Sequence, residues 1–309
     1  MNFKTFPELV VYFSDEKRAW AYWEQMRWNG RPVCPHCGNE RVYRIKEGIN
    51  FKCGNKVCDQ RFNARVGTFF ENTKVPMSKW FVAIYIITAH KKGISSVQLA
   101  KDIGVTQKTA WFMLHRIRQM VTNSNQIEEL TGIVQVDETY VKGKLKNKSK
   151  KNRALIAEGK KEDTTTVVVG LVQSNGKGIL QVVPDAKAKT LKPIIRRAIK
   201  DRKSVLVTDM AVAYNSLSSV YRAHIMVNHG EGEFARDGYH TNTVEGFFSL
   251  LKRGIIGIYH YVSPKHLQRY CDEFSYRYNT RNVQDVQRFH DTMSSTSGRL
   301  RYAQLIGKA

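Results

Sequence analysis

His240-Thr-Asn-Thr-Val-Glu-Gly-Phe-Phe-Ser-Leu-Leu-Lys-Arg253 is the stretch on which the reading of this chain turns. Asn242, Glu245, Ser249 and Lys252 fall three, four and three residues apart. On an α-helix that spacing stacks them into one polar stripe. Phe247, Leu250 and Leu251 lie on another side and can bury against a core. A carboxylate two turns ahead of a lysine, on the open side of an anchored helix, suits a metal-bound phosphate. The acid holds the cation and the lysine grips the phosphate. An ordinary exposed helix with one acid and one base would carry the same stripe, since mixed-charge faces are common.

Upstream, the pattern supplies two more acids. Ile133-Val-Gln-Val-Asp137 reads as a strand ending in acids, with Glu138 turned to the opposite face by strand alternation. Thr165 to Val172 and Gly178 to Val183 read as strands joined at Asn175-Gly176. Residues 187 to 200 make a basic helix, Ser204 to Thr208 a strand delivering Asp209, and His224 to Val227 a short fifth strand. Ser263-Pro264 opens a last helix that buries Leu267, Tyr270, Cys271, Phe274 and Tyr278. This order predicts a mixed α/β domain with two acids at strand ends and one on a helix. Neighbouring strand ends can bring Asp137 and Asp209 together, and close carboxylates repel unless a cation lies between them. Adding Glu245 gives an all-oxygen set suited to Mg²⁺ or Mn²⁺. Two such ions could activate a water or a 3′-hydroxyl and stabilise the leaving oxygen of a phosphodiester. Strand-end acids that merely shape turns are the competing reading.

The charge balance names a partner class. The 309 residues carry 50 Lys+Arg against 27 Asp+Glu, a net +23, which points to a polyanion and most simply to nucleic acid. An anionic membrane is the rival, but no lysine-rich amphipathic helix with a wide apolar face supports it. The longest apolar run, Trp80 to Ala89, is too short to span a bilayer. Glu8, Asp15 and Glu16 stand where a signal peptide needs a cationic start and an apolar stretch, so a cytoplasmic location is expected.

Cys34-Pro-His-Cys37 and Cys53-Gly-Asn-Lys-Val-Cys58 are two close pairs separated by 15 residues. Two such knuckles across a β-hairpin make a tetrahedral four-thiolate Zn²⁺ site, which is structural because all four positions are filled. Gly38 and Gly54 follow a cysteine where the backbone must turn. Free buried thiols, a redox pair, or His36 replacing one cysteine are the alternatives. Cys271 reads as a core residue. Further on, Ser95 to Arg118 reads as helix, turn, helix, with Ala100 at the contact, Gly104 in the turn and Thr106 as a cap. Gln107, Lys108, Thr109 and Arg116 could then reach a major groove or phosphates, unless this is a plain helical hairpin. The run Lys142, Lys144, Lys146, Lys148, Lys150, Lys151 and Arg153 is either a solvated loop or a phosphate clamp beside Asp137.

Together these pieces resemble the bacterial insertion-sequence transposases of the ISXO-like, zinc-ribbon group. The matching residues are Cys34 to Gly38, Gly67-Thr-Phe-Phe-Glu71, Val136-Asp-Glu-Thr-Tyr-Val141, Thr208-Asp209, His240 to Arg253, Ile258-Tyr-His260 and Ser263 to Tyr270. The resemblance implies an RNase H-like fold over 130–285 and cut-and-join chemistry on DNA. It implies Asp137 and Asp209 as the first two ligands of two Mg²⁺ (or Mn²⁺). The third is Glu245, which precedes Lys252 by seven residues, or Asn242 one turn earlier, instead of it or beside it. Lys252 would position phosphate and Arg253 contact DNA. The N-terminal modules would recognise terminal inverted repeats, and target DNA would be the second substrate. Two DNA ends must meet, so a homodimer or higher oligomer is expected on DNA. The implied division is an N-terminal helix (1–30), a zinc ribbon (31–72), a helix-turn-helix-like module (73–128), a catalytic domain (129–290) and a C-terminal tail (291–309). Three rival functions use the same features: a non-catalytic zinc-ribbon DNA-binding regulator, an RNase H-like nuclease, and a zinc-ribbon protein bound to RNA polymerase or the ribosome.

Overall fold

The computed structural model describes residues 3–45, 48–126, 129–142, 149–159, 165–228, 231–233 and 235–307. Lys144, Lys146 and Lys148 lie outside them. The chain divides into two compact units, Met1–Ser124 with Val283–Ala309, and Asn125–Asn282.

In the first unit, Asp15 caps the helix Glu16–Trp28 by accepting from the Lys17 N–H at 2.9 Å. Its apolar side buries Ala19, Trp20 and Trp23, and the Trp23 indole donates to the Ala64 carbonyl at 2.8 Å. Three short antiparallel strands follow, β1 (Val42–Arg44), β2 (Asn50–Cys53) and β3 (Arg61–Asn63), in the order β1-β2-β3. Phe51 and Phe62 stack between β2 and β3 with ring centres 5.7 Å apart, under Trp28. The helix Met77–Ala89 opens after Pro76, which offers no capping side chain. Glu16 does the capping from a distance, accepting from the Met77 and Ser78 N–H groups at 2.7 and 3.0 Å. This helix is apolar almost all round and is buried accordingly. Residues from 283 onward return to the same unit. On the helix Asp285–Ser294, Phe289 is buried against Phe3 and Phe81, and Arg288 donates to the Thr88 carbonyl at 3.0 Å.

The second unit is built on five strands: β4 (Ile133–Val141), β5 (Thr166–Gln173), β6 (Gly178–Val183), β7 (Val205–Asp209) and β8 (Ala223–Val227). Their order is β6-β5-β4-β7-β8, with the first three antiparallel and β4, β7 and β8 parallel. Alternation puts Val134 and Val136 on one face, in a cluster with Leu191 and Ile195 of the helix Ala188–Ala198. Val168 and Val172 of β5 face the other way, onto Phe247, Phe248 and Leu251 of the helix Asn242–Gly254 and onto Phe274 of the helix Pro264–Asn279. Helices thus cover both faces of a mixed sheet, the RNase H-like arrangement. Gly170 lets one of them come close. A Cβ there would stand 2.6 Å from Phe248 Cε1.

Two readings from sequence are corrected. Asp137 does not end its strand: β4 runs on to Val141, held by antiparallel pairing with β5 as far as Val141↔Thr166. What ends near Asp137 is the parallel pairing with β7, whose last residue is Asp209. The described end of the lysine run is also not loop, for Lys150–Ala157 is a short helix with Lys150 and Lys151 exposed.

Candidate active site, zinc ribbon and DNA-facing module

The parallel register sets Gln135 opposite Val207. Two residues further along each strand come Asp137 and Asp209, side by side on the same face. On β5 the residue directly opposite Asp137 is Gly170. Its missing side chain is what seats the helix Asn242–Gly254 close to this part of the sheet. That helix presents Asn242, Glu245, Ser249 and Lys252 to solvent and buries Val244, Phe247, Phe248 and Leu251, so the stripe and the anchored side fall where the spacing put them.

Gln135 fixes the helix end to the strand. It is 2 % exposed, and its Oε1 accepts from the Thr243 and Val244 N–H groups at 3.0 and 3.1 Å. Its Nε2 donates to Thr243 Oγ1 at 3.1 Å. These bonds satisfy orphan donors of the helix N-terminus from a residue two places before Asp137. Thr241 Oγ1 donates to Glu245 Oε1 at 2.9 Å, directing that carboxylate from the helix entry. The sequence signal for Gln135 was an amide inside the apolar run Ile133 to Val136, where a buried polar group needs partners.

The electrostatics follow from this crowding. Burial pushes the Asp137 carboxyl up to about 7, and the charges of Asp209, Glu138 and Glu245 add to it, against the Glu138 N–H that Asp137 accepts at 2.8 Å. Asp209 Oδ1 accepts the Ala211 N–H at 3.1 Å. Glu138 points to the opposite face, as alternation requires, and accepts the hydroxyl of the fully buried Tyr214. Burial raises Glu138 too, opposed by that hydrogen bond. The three candidate ligands are not yet as tight as a closed metal site. Among the described residues only Cys34, Cys37, Cys53 and Cys58 have all their ligand atoms within 4.8 Å of one another. Even so, the acids present oxygens only, and their mutual repulsion is the kind a hard divalent cation relieves. Lys252 and Arg253 are exposed in the last turn of the helix.

The cysteines meet the test for zinc. Cys34 Sγ and Cys58 Sγ are 3.8 Å apart, and Cys37 Sγ and Cys53 Sγ 3.6 Å. A tetrahedron of sulfurs about 2.3 Å from Zn²⁺ has edges of roughly 3.8 Å. Gly38 has φ +74°, and its N–H donates to the Cys34 carbonyl at 2.9 Å. At Gly54 a Cβ would meet the Arg41 carbonyl at 2.6 Å, so the second knuckle also requires glycine. Asn55 N–H and Asn39 Nδ2 both point at Cys53 Sγ, at 3.4 and 3.7 Å. These donors suit a thiolate, and the set fits a structural Zn²⁺. Cys271 is fully buried in the second unit's core.

In the helical module, Ser96–Ile103 and Gln107–Ser124 are joined by Gly104 at φ +61°. Thr106 Oγ1 accepts the Thr109 N–H at 3.2 Å, and Gln107 Nε2 reaches back to Ser96 Oγ at 2.8 Å. Gln107 and Lys108 are exposed and Thr109 half-buried. Arg116 is not an outward-reaching residue. It is 6 % exposed, with its guanidinium 4.4 Å from the centre of the Phe112 ring. Among the described residues no helix is long and apolar enough to cross a membrane.

Fold and site define a class: an RNase H-like protein with paired strand acids and an acid-bearing helix, preceded by a four-cysteine zinc ribbon. Residues 129–279 match the family model of the ISXO2-like transposase domain, and residues 14–61 that of the transposase zinc-ribbon domain. A protein of the transposable element ISH50 of Halobacterium salinarum is 32 % identical over 284 residues, covering 87 % of this chain and 92 % of that one. This chain belongs to the ISXO2-like transposase family. A transposase-like protein of Haemophilus influenzae is 28 % identical over 102 residues, 33 % of this chain and 80 % of the relative. A pre-cleavage Mos1 transpososome aligns with a TM-score of 0.26 at 14 % identity, over 68 % of this chain and 76 % of that one. A Mos1 paired-end complex with the left transposon end gives 0.27 at 13 %, over 75 % and 82 %.

Proposed function

We propose that the protein is a DDE-type DNA transposase, a polynucleotidyl transferase that cleaves at transposon ends and joins them to target DNA. One observation carries the reading: Asp137 and Asp209 stand side by side on parallel strands, with the charge of Glu245 acting on Asp137, in a chain of this family. Asp137, Asp209 and Glu245 would hold two Mg²⁺ or Mn²⁺, with Asn242 one turn away on the same face. Bound there, such ions activate the attacking oxygen and stabilise the leaving one. Gln135 and Thr241 orient the helix and its carboxylate. Lys252 positions a phosphate, and Arg253 adds charge beside it.

The chemistry is two phosphodiester exchanges. Water first breaks the bond at the transposon end and frees a 3′-hydroxyl. That hydroxyl then attacks a target phosphorus, forming one P–O bond as another breaks, with no covalent enzyme intermediate. The ribbon (31–72) and helical module (73–128) bind the terminal repeats through Gln107, Lys108 and Thr109. The exposed Lys150 and Lys151, with Lys144, Lys146 and Lys148, add charge for phosphates. At least two protomers assemble, because two ends are joined together.

The test uses a pre-cleaved end, drawn from the DNA flanking the reading frame, with Mg²⁺ and a plasmid target. Joined product should form from a 3′-hydroxyl end and not from a 3′-deoxy end. Mg²⁺-dependent breakage of the plasmid or the duplex without joining, whichever end is supplied, would support a nuclease, and binding without either reaction a regulator.

A further inference from the structure

A cleft of about 450 Å³ opens within the first unit, beside the helix Gln107–Ser124. It lies in the size range of ligand pockets. Among the described residues four cations line it, Lys74, Lys79, Lys108 and Arg116, and no carboxylate does. Phe112 and Tyr302 also line it, meeting edge to face with ring centres 5.4 Å apart. Lys108 Nζ stands 5.1 Å from the Tyr302 ring centre.

Arg116 makes the cleft more than a basic surface. It is 6 % exposed, and its Nε has no hydrogen-bond partner among the described residues. The acid whose charge acts on it is Glu71, and both oxygens of Glu71 are already engaged. One pairs with Arg299 Nη1 at 3.1 Å and the other accepts the Gly67 N–H at 2.9 Å. Arg299 repels Arg116 in turn. A buried guanidinium without a carboxylate of its own, facing a cleft that holds none, is a charge left for an incoming anion. Beside that charge, Phe112, which carries the Arg116 guanidinium over its ring, and Tyr302 suit a planar group. A nucleotide carries both, a phosphate anion and a planar ring.

We propose that this cleft binds one unpaired nucleotide, its phosphate among Lys74, Lys79, Lys108 and Arg116 and its base against Phe112 and Tyr302. Within DNA the nucleotide has to leave the stack, since a paired base keeps both faces covered. The family's DNA chemistry is used only to choose deoxynucleotides as the source. The cleft itself owes nothing to Asp137, Asp209 or Glu245.

The test needs neither Mg²⁺ nor joining, so its failure would leave the transposase reading standing. The full chain is titrated by fluorescence anisotropy with a flush labelled duplex and with the same duplex carrying one unpaired dT. Binding of free dTMP is measured in parallel by equilibrium dialysis. The unpaired dT should improve affinity about tenfold, the scale of one base stacked on an aromatic ring. Tyr302→Ala and Lys108→Gln, both at accessible positions, should remove that advantage while circular dichroism confirms the fold. If the overhang gives no advantage but dTMP binds and Lys108→Gln weakens it, the cleft takes a free nucleotide and the proposal holds. If neither ligand is preferred, or the overhang advantage persists in both variants, the proposal is overturned.

Discussion

Asp137 carries the sharpest consequence at the scale of single residues. Its carboxyl sits at about 7 against an ordinary value of 3.8, raised first by burial and then by its acidic neighbours. A folded-state value above the unfolded one means that the native protein holds the extra proton. That contribution to stability is complete below about pH 4 and is lost as the pH rises through about 7. A divalent ion bound at Asp137 has to displace the proton below that range and meets an ionised carboxylate above it. The rise in Tm produced by Mg²⁺ should therefore be larger at about pH 8 than at about pH 6, read by differential scanning fluorimetry. An equal shift at both pH values would speak against Asp137 as a ligand. Gln135 is the second residue to test. Gln135→Ala removes the acceptor from the Thr243 and Val244 N–H groups and should cost joining roughly 10–100-fold, as loss of an outer-sphere partner does. A positioning role predicts that Mn²⁺ in place of Mg²⁺ restores part of the rate, which a merely unstable variant would not show. The places of Asp209 at a strand end and Glu245 on a helical stripe were legible because both are patterns within a few residues. Gln135 was not, because an amide in an apolar run announces that it has a partner without saying which of the later residues it is.

At the scale of elements, the distance between helix and sheet is set by what is absent. Gly170→Val would place side-chain carbon where Phe248 already stands, 2.6 Å from the Cβ position. Overpacking of this kind costs about 1–3 kcal/mol, and here it also displaces the helix that carries Glu245. Urea unfolding should show the lost stability, and joining should fall further than stability alone explains. The helix Pro264–Asn279 holds a buried pair, Arg277 Nη2 to Glu273 Oε1 at 2.5 Å, with the Tyr259 hydroxyl donating to Glu273 at 2.8 Å. Glu273→Ala leaves Arg277 with a buried charge and should cost about 3–5 kcal/mol in the same measurement. Several of these elements were readable from sequence pattern, including the turn at Gly104 between two helices. The length of β4 was not. Glu138 to Tyr140 look like the start of a loop until β5 supplies their antiparallel partners.

Across the whole chain, the first unit depends on two things far apart in sequence: the zinc ribbon and the return of residues 283–309. Removing zinc should free the ribbon, whose own core is little more than Phe51, Phe62, Trp28 and the cysteines. Limited trypsin digestion after chelation should then cut at Arg41, Arg44 and Lys52, and added Zn²⁺ should restore protection. Unchanged digestion would mean the ribbon stands without metal. The cysteine spacing made this module readable, since two knuckles are a local signal. The return of the chain was hidden. Nothing in the period of Asp285–Ser294 says that Phe289 packs against Phe3 and Phe81 rather than continuing the second unit.

Asp137, Asp209 and Glu245 are proposed to form one metal-dependent centre that joins DNA ends. Joining of a pre-cleaved 3′-hydroxyl end to target DNA, compared between the wild-type chain and Asp209→Ala at matched DNA binding, tests it most directly. The wild type should join with Mg²⁺ present, and Asp209→Ala should lose more than the roughly 10–100-fold of an outer-sphere change. Joining that survives in Asp209→Ala at the wild-type rate would contradict it.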